Sequence, residues 1–181
     1  MRKIPLCLLV GLIVSLAANA GEVETGAAQG VYVDVTKVVA AEAVSPVDGI
    51  RSAGQPDAAA FKVFADAGYV AVIDMRGPKE DRGLSDERAL IEELGMDYVA
   101  LPITDRKQIN VETAAELDRL LAGFDGPVLI HCRSANRAGA VLALRHSLTG
   151  VSDDEALAFG ATAGLTKPKL KALVQERLGK N

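Results

Sequence analysis

The residue types best suited to chemistry lie together at His131-Cys132-Arg133-Ser134-Ala135-Asn136-Arg137. They follow the apolar run Val128-Leu129-Ile130 and precede a small-residue stretch, opening at Ala138-Gly139, that reads as a helix to Leu148. A thiol at such a strand-to-helix turn stands where unpaired backbone N–H groups and the positive end of a helix dipole gather negative charge. That field, with Arg133 and Arg137 nearby, is expected to favour the thiolate, which is the nucleophile. Cys132 is the candidate nucleophile, Arg137 and Arg133 are the candidate cations, and the loop at Ser134, Ala135 and Asn136 offers backbone donors to an anion. His131 is expected to point away from the ligand and to anchor the loop through hydrogen bonds. Arg137 has a plainer use, pairing with a surface carboxylate, but an Arg in a first helical turn opposes the dipole unless an anion is bound there.

The elements that must position this loop alternate along the chain. Val31 to Val39 is β-branched and partly alternating, a first strand or an extended arm, and Gly54-Gln55-Pro56 is a turn. Asp57 caps a predicted helix through Ala67 that stops at Gly68, and Tyr69 to Met75 reads as a strand buried on both faces. After a polar loop from Arg76 to Leu84, Ser85 opens a helix closed by Gly95, and Asp97 to Leu101 is the next strand. Asn110 caps a helix with a stripe of Ala114, Leu117, Leu120 and Leu121, and Gly126-Pro127 precedes the strand at 128. Beyond the thiol loop, Ser152 and Glu155 form a capping box and Thr166 with Pro168 starts a last helix. Strands alternating with helices predict an α/β fold, a central mostly parallel sheet flanked by helices, with a helical C-terminal end.

Residues 1–20 have the parts of an export signal: Arg2 and Lys3, an apolar stretch from Ile4 to Leu16, and the small-residue site Ala18-Asn19-Ala20. Cleavage after Ala20, a periplasmic destination and no membrane span thereafter are expected, with 21–43 a leader and extended arm and 44–181 one domain. Loss of Arg2 and Lys3 takes the net charge from −4 to −6, and no basic run tracks a nucleic-acid backbone, so nucleic acid is not an expected partner. Of two cysteines, Cys7 leaves with the signal, so Cys132 is a lone thiol in an oxidising compartment and a thiol reductant is an expected partner. The sequence carries no metal-ligand spacing and no dinucleotide fingerprint, so neither metal nor cofactor is expected.

The loop His131-Cys132 with Arg137 entering a helix at Ala138-Gly139 resembles the signature loop of cysteine-based tyrosine and dual-specificity phosphatases. Around it, Ser52-Ala53-Gly54-Gln55-Pro56, Ile73-Asp74-Met75-Arg76, Gly95-Met96-Asp97-Tyr98 and Leu101-Pro102-Ile103 occur in the order of the bacterial beta-lactamase-hydrolase-like phosphatase-like family. The resemblance covers roughly residues 44 to 150 and implies the phosphatase-like α/β fold. It also implies a general acid at Asp105, in Pro102-Ile103-Thr104-Asp105, a position that Arg106 and Lys107 equally make a solvated loop carboxylate. Arg76 and Glu80-Asp81 follow another strand and are expected either to border the same pocket or to form loop salt bridges.

Two departures shape the expected chemistry. Cys132 and Arg137 enclose four residues where tyrosine phosphatases place five, a spacing that resembles the six-residue loop of rhodanese-type sulfurtransferases. Ala135 stands where the family commonly has Gly, at a cost of about 1 kcal/mol if that residue takes φ > 0. Three functions follow: a phosphatase-like hydrolase working through phosphocysteine, a sulfurtransferase carrying a Cys132 persulfide, and a non-catalytic anion or partner binder. The corresponding ligand is a phosphorylated or sulfur-containing small molecule or protein.

Overall fold

The computed structural model describes residues 30–179, so the expected signal and residues 21–29 of the leader lie outside the described residues. The elements are β1 (Tyr32–Val33), α1 (Val35–Ala41), β2 (Ile50–Ala53), α2 (Ala58–Asp66), β3 (Ala71–Asp74), α3 (Glu87–Glu93), β4 (Asp97–Ala100), a 3₁₀ turn (Arg106–Gln108), α4 (Val111–Leu121), β5 (Val128–His131), α5 (Asn136–Ser147), α6 (Asp153–Thr162) and α7 (Pro168–Leu178). The strands form one sheet in the order β1-β2-β5-β3-β4, every pairing parallel. The α/β architecture with a parallel sheet and a helical C-terminal end is therefore as the alternation of patterns predicts.

Side chains alternate across the sheet. Ile73 and Ile130 face α4 to α7 in a core with Ala114, Leu117, Leu142 and Val174. Val72 and Leu129 face α1 to α3 in a second core with Val38, Phe61, Phe64 and Ile91. The same parity continues past β5: His131 belongs to the second face, against Phe61, and Cys132 to the first. α5 can lie close on α6 and the turn that follows it because Gly139 and Gly160 have no side chains. A Cβ on Gly139 would meet the Leu165 nitrogen at 2.5 Å, and one on Gly160 would meet the Ala143 Cβ at 2.6 Å.

Local signals set most helix starts. Asp57, Asn110 and Ser152 cap α2, α4 and α6 as expected, Ser152 within a capping box with Glu155. Two boundaries differ. Asp86, not Ser85, caps α3 by accepting the Ala89 N–H at 3.0 Å. The segment 31–39 is a two-residue strand and then helix α1, which Asp34 caps, so from Tyr32 onward the expected arm is part of the sheet and its cover. β-Branched residues lose only a little in a helix, and burial of Val38 beside the second core outweighs that preference. No helix among the described residues is long and apolar enough to cross a membrane.

Candidate active site

β5 is the central strand, and its carboxyl end delivers Cys132 to the start of α5. The thiol is 1% exposed, at the floor of a turn supported by the Ser52–Pro56 segment. The Cys132 N–H lies 3.4 Å from the Ala53 carbonyl, the Gln55 N–H donates to the Arg133 carbonyl at 3.3 Å, and Gly54 bridges Ser134. Ala135 takes φ 57°, ψ −13° and is the N-cap of α5, with no side-chain cap. The first N–H groups of a helix have no intrahelical acceptors. At α5 they are left without a capping oxygen, so the turn can receive an anion there.

Arg137, in the first turn of α5, reaches back over the loop. Its Nη1 donates to Glu80 Oε1 at 2.5 Å and to the Ile103 carbonyl at 2.9 Å, and its Nη2 donates to Glu80 Oε2 at 2.7 Å. Glu80 also accepts the Gly77 N–H at 2.7 Å. Arg137's hydrogen bonds hold the Glu80 carboxyl down at about 2, against the desolvation that opposes them. The Arg137 guanidinium is pushed up, first by Glu80 and then, against burial, by the charge and hydrogen bond of Cys132. The surface-carboxylate reading of Arg137 therefore holds in its pair with Glu80, and the residue stands in the first turn of the helix that follows the thiol loop.

The other candidates separate. Arg133 and Ser134 are exposed at the rim. Ala135 contributes backbone alone. The Asn136 amide is directed inward: Nδ2 donates to the Ser134 carbonyl at 2.9 Å, and Oδ1 accepts the Thr166 and Lys167 N–H groups at 2.9 and 2.7 Å. Its side chain therefore ties the loop to the start of α7, and what it can offer a ligand is its N–H. Asp105 shares a cavity of about 560 Å³ with Arg137. Its carboxylate caps the 3₁₀ turn, accepting the Lys107 N–H at 2.8 Å and, within a capping box, the Gln108 N–H.

Arg76 is a correction. Its guanidinium has no exposed surface and is bonded to Asp74 at 2.9 Å and to Glu87, beneath the sheet face opposite Cys132, so it does not border the substrate. A buried guanidinium requires such partners, and Asp74, two residues earlier on β3, and Glu87 on α3 supply them. His131 does point away from the thiol, as strand parity demands, but neither ring nitrogen makes a well-aligned hydrogen bond. Its Nε2 lies 3.3 Å from Glu87 Oε1 and the ring meets Phe61 edge-on, so packing holds it in place of the expected hydrogen bonds. Burial alone would raise the Asp74 carboxyl, yet the Arg76 hydrogen bond, aided by His131, brings it to about 2. Asp74, Glu87 and His131 offer ligand atoms within 4.8 Å of one another. Arg76 already sits between the two carboxylates and supplies the positive charge, which argues against a cation there.

Glu80 is the residue that sequence reasoning placed only loosely. Its one signal was its position after β3, the strand beside β5.

The family model for the beta-lactamase hydrolase-like protein, phosphatase-like domain, matches residues 42–149. The beta-lactamase hydrolase-like protein of Xylella fastidiosa is 31% identical over 115 residues, which are 61% of this chain and 26% of that protein, so the chain spans about a quarter of that relative. Among solved structures, a candidate phosphatase (DUF442) of Shewanella putrefaciens CN-32 has 25% identity and a TM-score of 0.57, covering 76% of this chain and 88% of its own. A candidate phosphatase of Neisseria meningitidis Z2491 has 20% identity and a TM-score of 0.61 over 71% and 92%, a likeness of fold. With a match that takes in the whole sheet from β2 onward, the thiol loop and α5, this chain belongs to the beta-lactamase hydrolase-like protein, phosphatase-like domain family.

Proposed function

We propose that the chain is a cysteine-dependent phosphatase acting on a phosphate ester through a phosphocysteine intermediate. The observation that carries this reading is the placement of Cys132 and Arg137 on either side of the start of α5, whose first N–H groups no side chain caps. The Cys132 thiolate attacks phosphorus in line and the ester P–O bond breaks. Arg137 and the loop N–H groups stabilise the equatorial oxygens, and Asp105 gives its proton to the leaving oxygen. Water then attacks the phosphocysteine while Asp105 takes its proton, the S–P bond breaks, and phosphate leaves with the thiolate restored.

The test is phosphate release from a small aryl phosphate by the reduced protein, residues 21–181, beside Cys132→Ser and Asp105→Asn. Turnover lost in the first and reduced about a hundredfold in the second is the expected result. Turnover equal to that of Cys132→Ser would sink the reading.

The four-residue spacing from Cys132 to Arg137 favours a second reading, sulfur transfer. There Cys132 takes the sulfane sulfur of a donor such as thiosulfate, releasing sulfite, and passes it to cyanide or a thiol without help from Asp105. Thiocyanate formation distinguishes the two. We also propose export to the periplasm after cleavage at Ala20, with a thiol reductant keeping Cys132 active; the mass and location of the mature chain test this.

A further inference from the structure

Arg137 stands between two cavities, and the larger, of about 560 Å³, lies on the Asp105 side. That volume suits a small molecule. Its floor is apolar, made by Ile103, Ile109 and Leu170, all buried or nearly so. Its rim carries Arg106, Lys167 and Lys169, all exposed, and Asp105 is the one carboxylate lining it. Among the described residues none of these three cations forms an ion pair. Elsewhere the same surface pairs Lys62 with Asp66, Arg88 with Glu92 and Arg145 with Asp118. In a chain of net charge −4, three cations without carboxylate partners thus stand together around one pocket. Lys167 and Lys169 also flank the first residue of α7, where the helix dipole disfavours positive charge, so their placement costs stability until an anion arrives.

We infer that this pocket receives the leaving group of a phosphoester whose apolar body carries a second anionic group, a carboxylate or another phosphate, held by Lys167, Lys169 and Arg106. The inference rests on the phosphatase reading for the position of the ester. The phosphoryl group sits against α5 and Arg137, the leaving oxygen lies toward Asp105, the apolar body covers Ile103, Ile109 and Leu170, and the second charge reaches the lysine rim. Exposed cations of this kind act mainly by attraction and selection, and their effect weakens with salt.

The experiment compares two esters with nearly equal leaving-group acidity, 4-(carboxymethyl)phenyl phosphate and 4-ethylphenyl phosphate, binding to the Cys132→Ser protein by calorimetry at low salt. The carboxylate ester is expected to bind about fivefold more tightly. That preference is expected to vanish in Cys132→Ser carrying Lys167→Met and Lys169→Met, and to reverse with Lys167→Glu and Lys169→Glu. Equal affinities, no binding of either ester, or a preference that survives both lysine pairs would overturn the inference. Turnover of the same two esters by the reduced protein is read separately. A lysine-dependent binding preference without turnover keeps the pocket and removes the phosphatase reading, whereas turnover without preference does the opposite.

Discussion

Glu80 grips Arg137 end-on, one carboxylate oxygen on each terminal nitrogen, at 2.5 and 2.7 Å. With the Ile103 carbonyl also on Nη1, only the Nε nitrogen is left outside these bonds, so Glu80 sets the direction in which the guanidinium faces.

The pairing makes a pH prediction. The Glu80 carboxyl is lowered from 4.5 to about 2 in the folded protein, so its contribution is fully present above pH 4.5 and disappears as pH falls through about 2. Glu80→Gln is expected to lose about 1 kcal/mol at neutral pH, discounted because the carboxylate is 30% exposed. Urea titrations of both proteins from pH 7 to pH 2.5 should show their stabilities converging; a constant gap would count against the pair as the source.

Arg137→Lys keeps the charge and loses the planar fork. An ammonium cannot satisfy both Glu80 oxygens and still present an edge to the phosphoryl group, so kcat/KM for an aryl phosphate is expected to fall about a hundredfold or more. A loss below about threefold would mean that charge alone suffices.

Ala135 holds a left-handed backbone, φ 57°, that costs an alanine about 1 kcal/mol. Ala135→Gly is expected to be neutral to stabilising, by up to about 1 kcal/mol, because relief of strain offsets the added freedom of the unfolded chain. Chemical denaturation decides it, and a destabilised variant would show that the Ala135 methyl packs more usefully than its backbone strains.

Arg76→Met breaks a buried network while leaving Asp74 and Glu87 facing each other, and is expected to cost about 3 kcal/mol or more. KM for an aryl phosphate in the folded fraction should stay within about twofold, since Arg76 lies on the sheet face opposite Cys132. A large rise in KM with unchanged stability would return Arg76 to the substrate.

The parts of this molecule that were legible in its sequence share a physical reason. β5, the thiol turn and α5 announce themselves because a run buried on both faces must be apolar throughout, and because a reactive thiol needs the turn that follows. Asp57, Asn110 and Ser152 were legible because capping is local chemistry. Arg76 was misread because an Arg after a strand looks the same whether it meets a ligand or a carboxylate. What separated the two was the parity that puts Asp74 beside His131 in register and the arrival of Glu87 from a helix thirteen residues further along. The partner of Glu80 went unnamed because it lies 57 residues away, across a loop with no periodic pattern. Helix α1 hid behind β-branched residues that burial, not propensity, made helical.

The strand order has a consequence for the life of the chain before it is whole. β5 is the last strand to be synthesised and the one that lies in the middle, pairing with β2 on one side and β3 on the other, while β1–β2 and β3–β4 share no ladder of their own. Until residue 131 has emerged, the sheet is two halves with an open slot between them, each with unpaired strand edges and half a core. Such late, non-local closure makes for slow folding and favours an aggregation-prone nascent chain. It also orders events: the strand that closes the slot is the one that carries the thiol, so Cys132 reaches its place only when the domain as a whole becomes a folded protein.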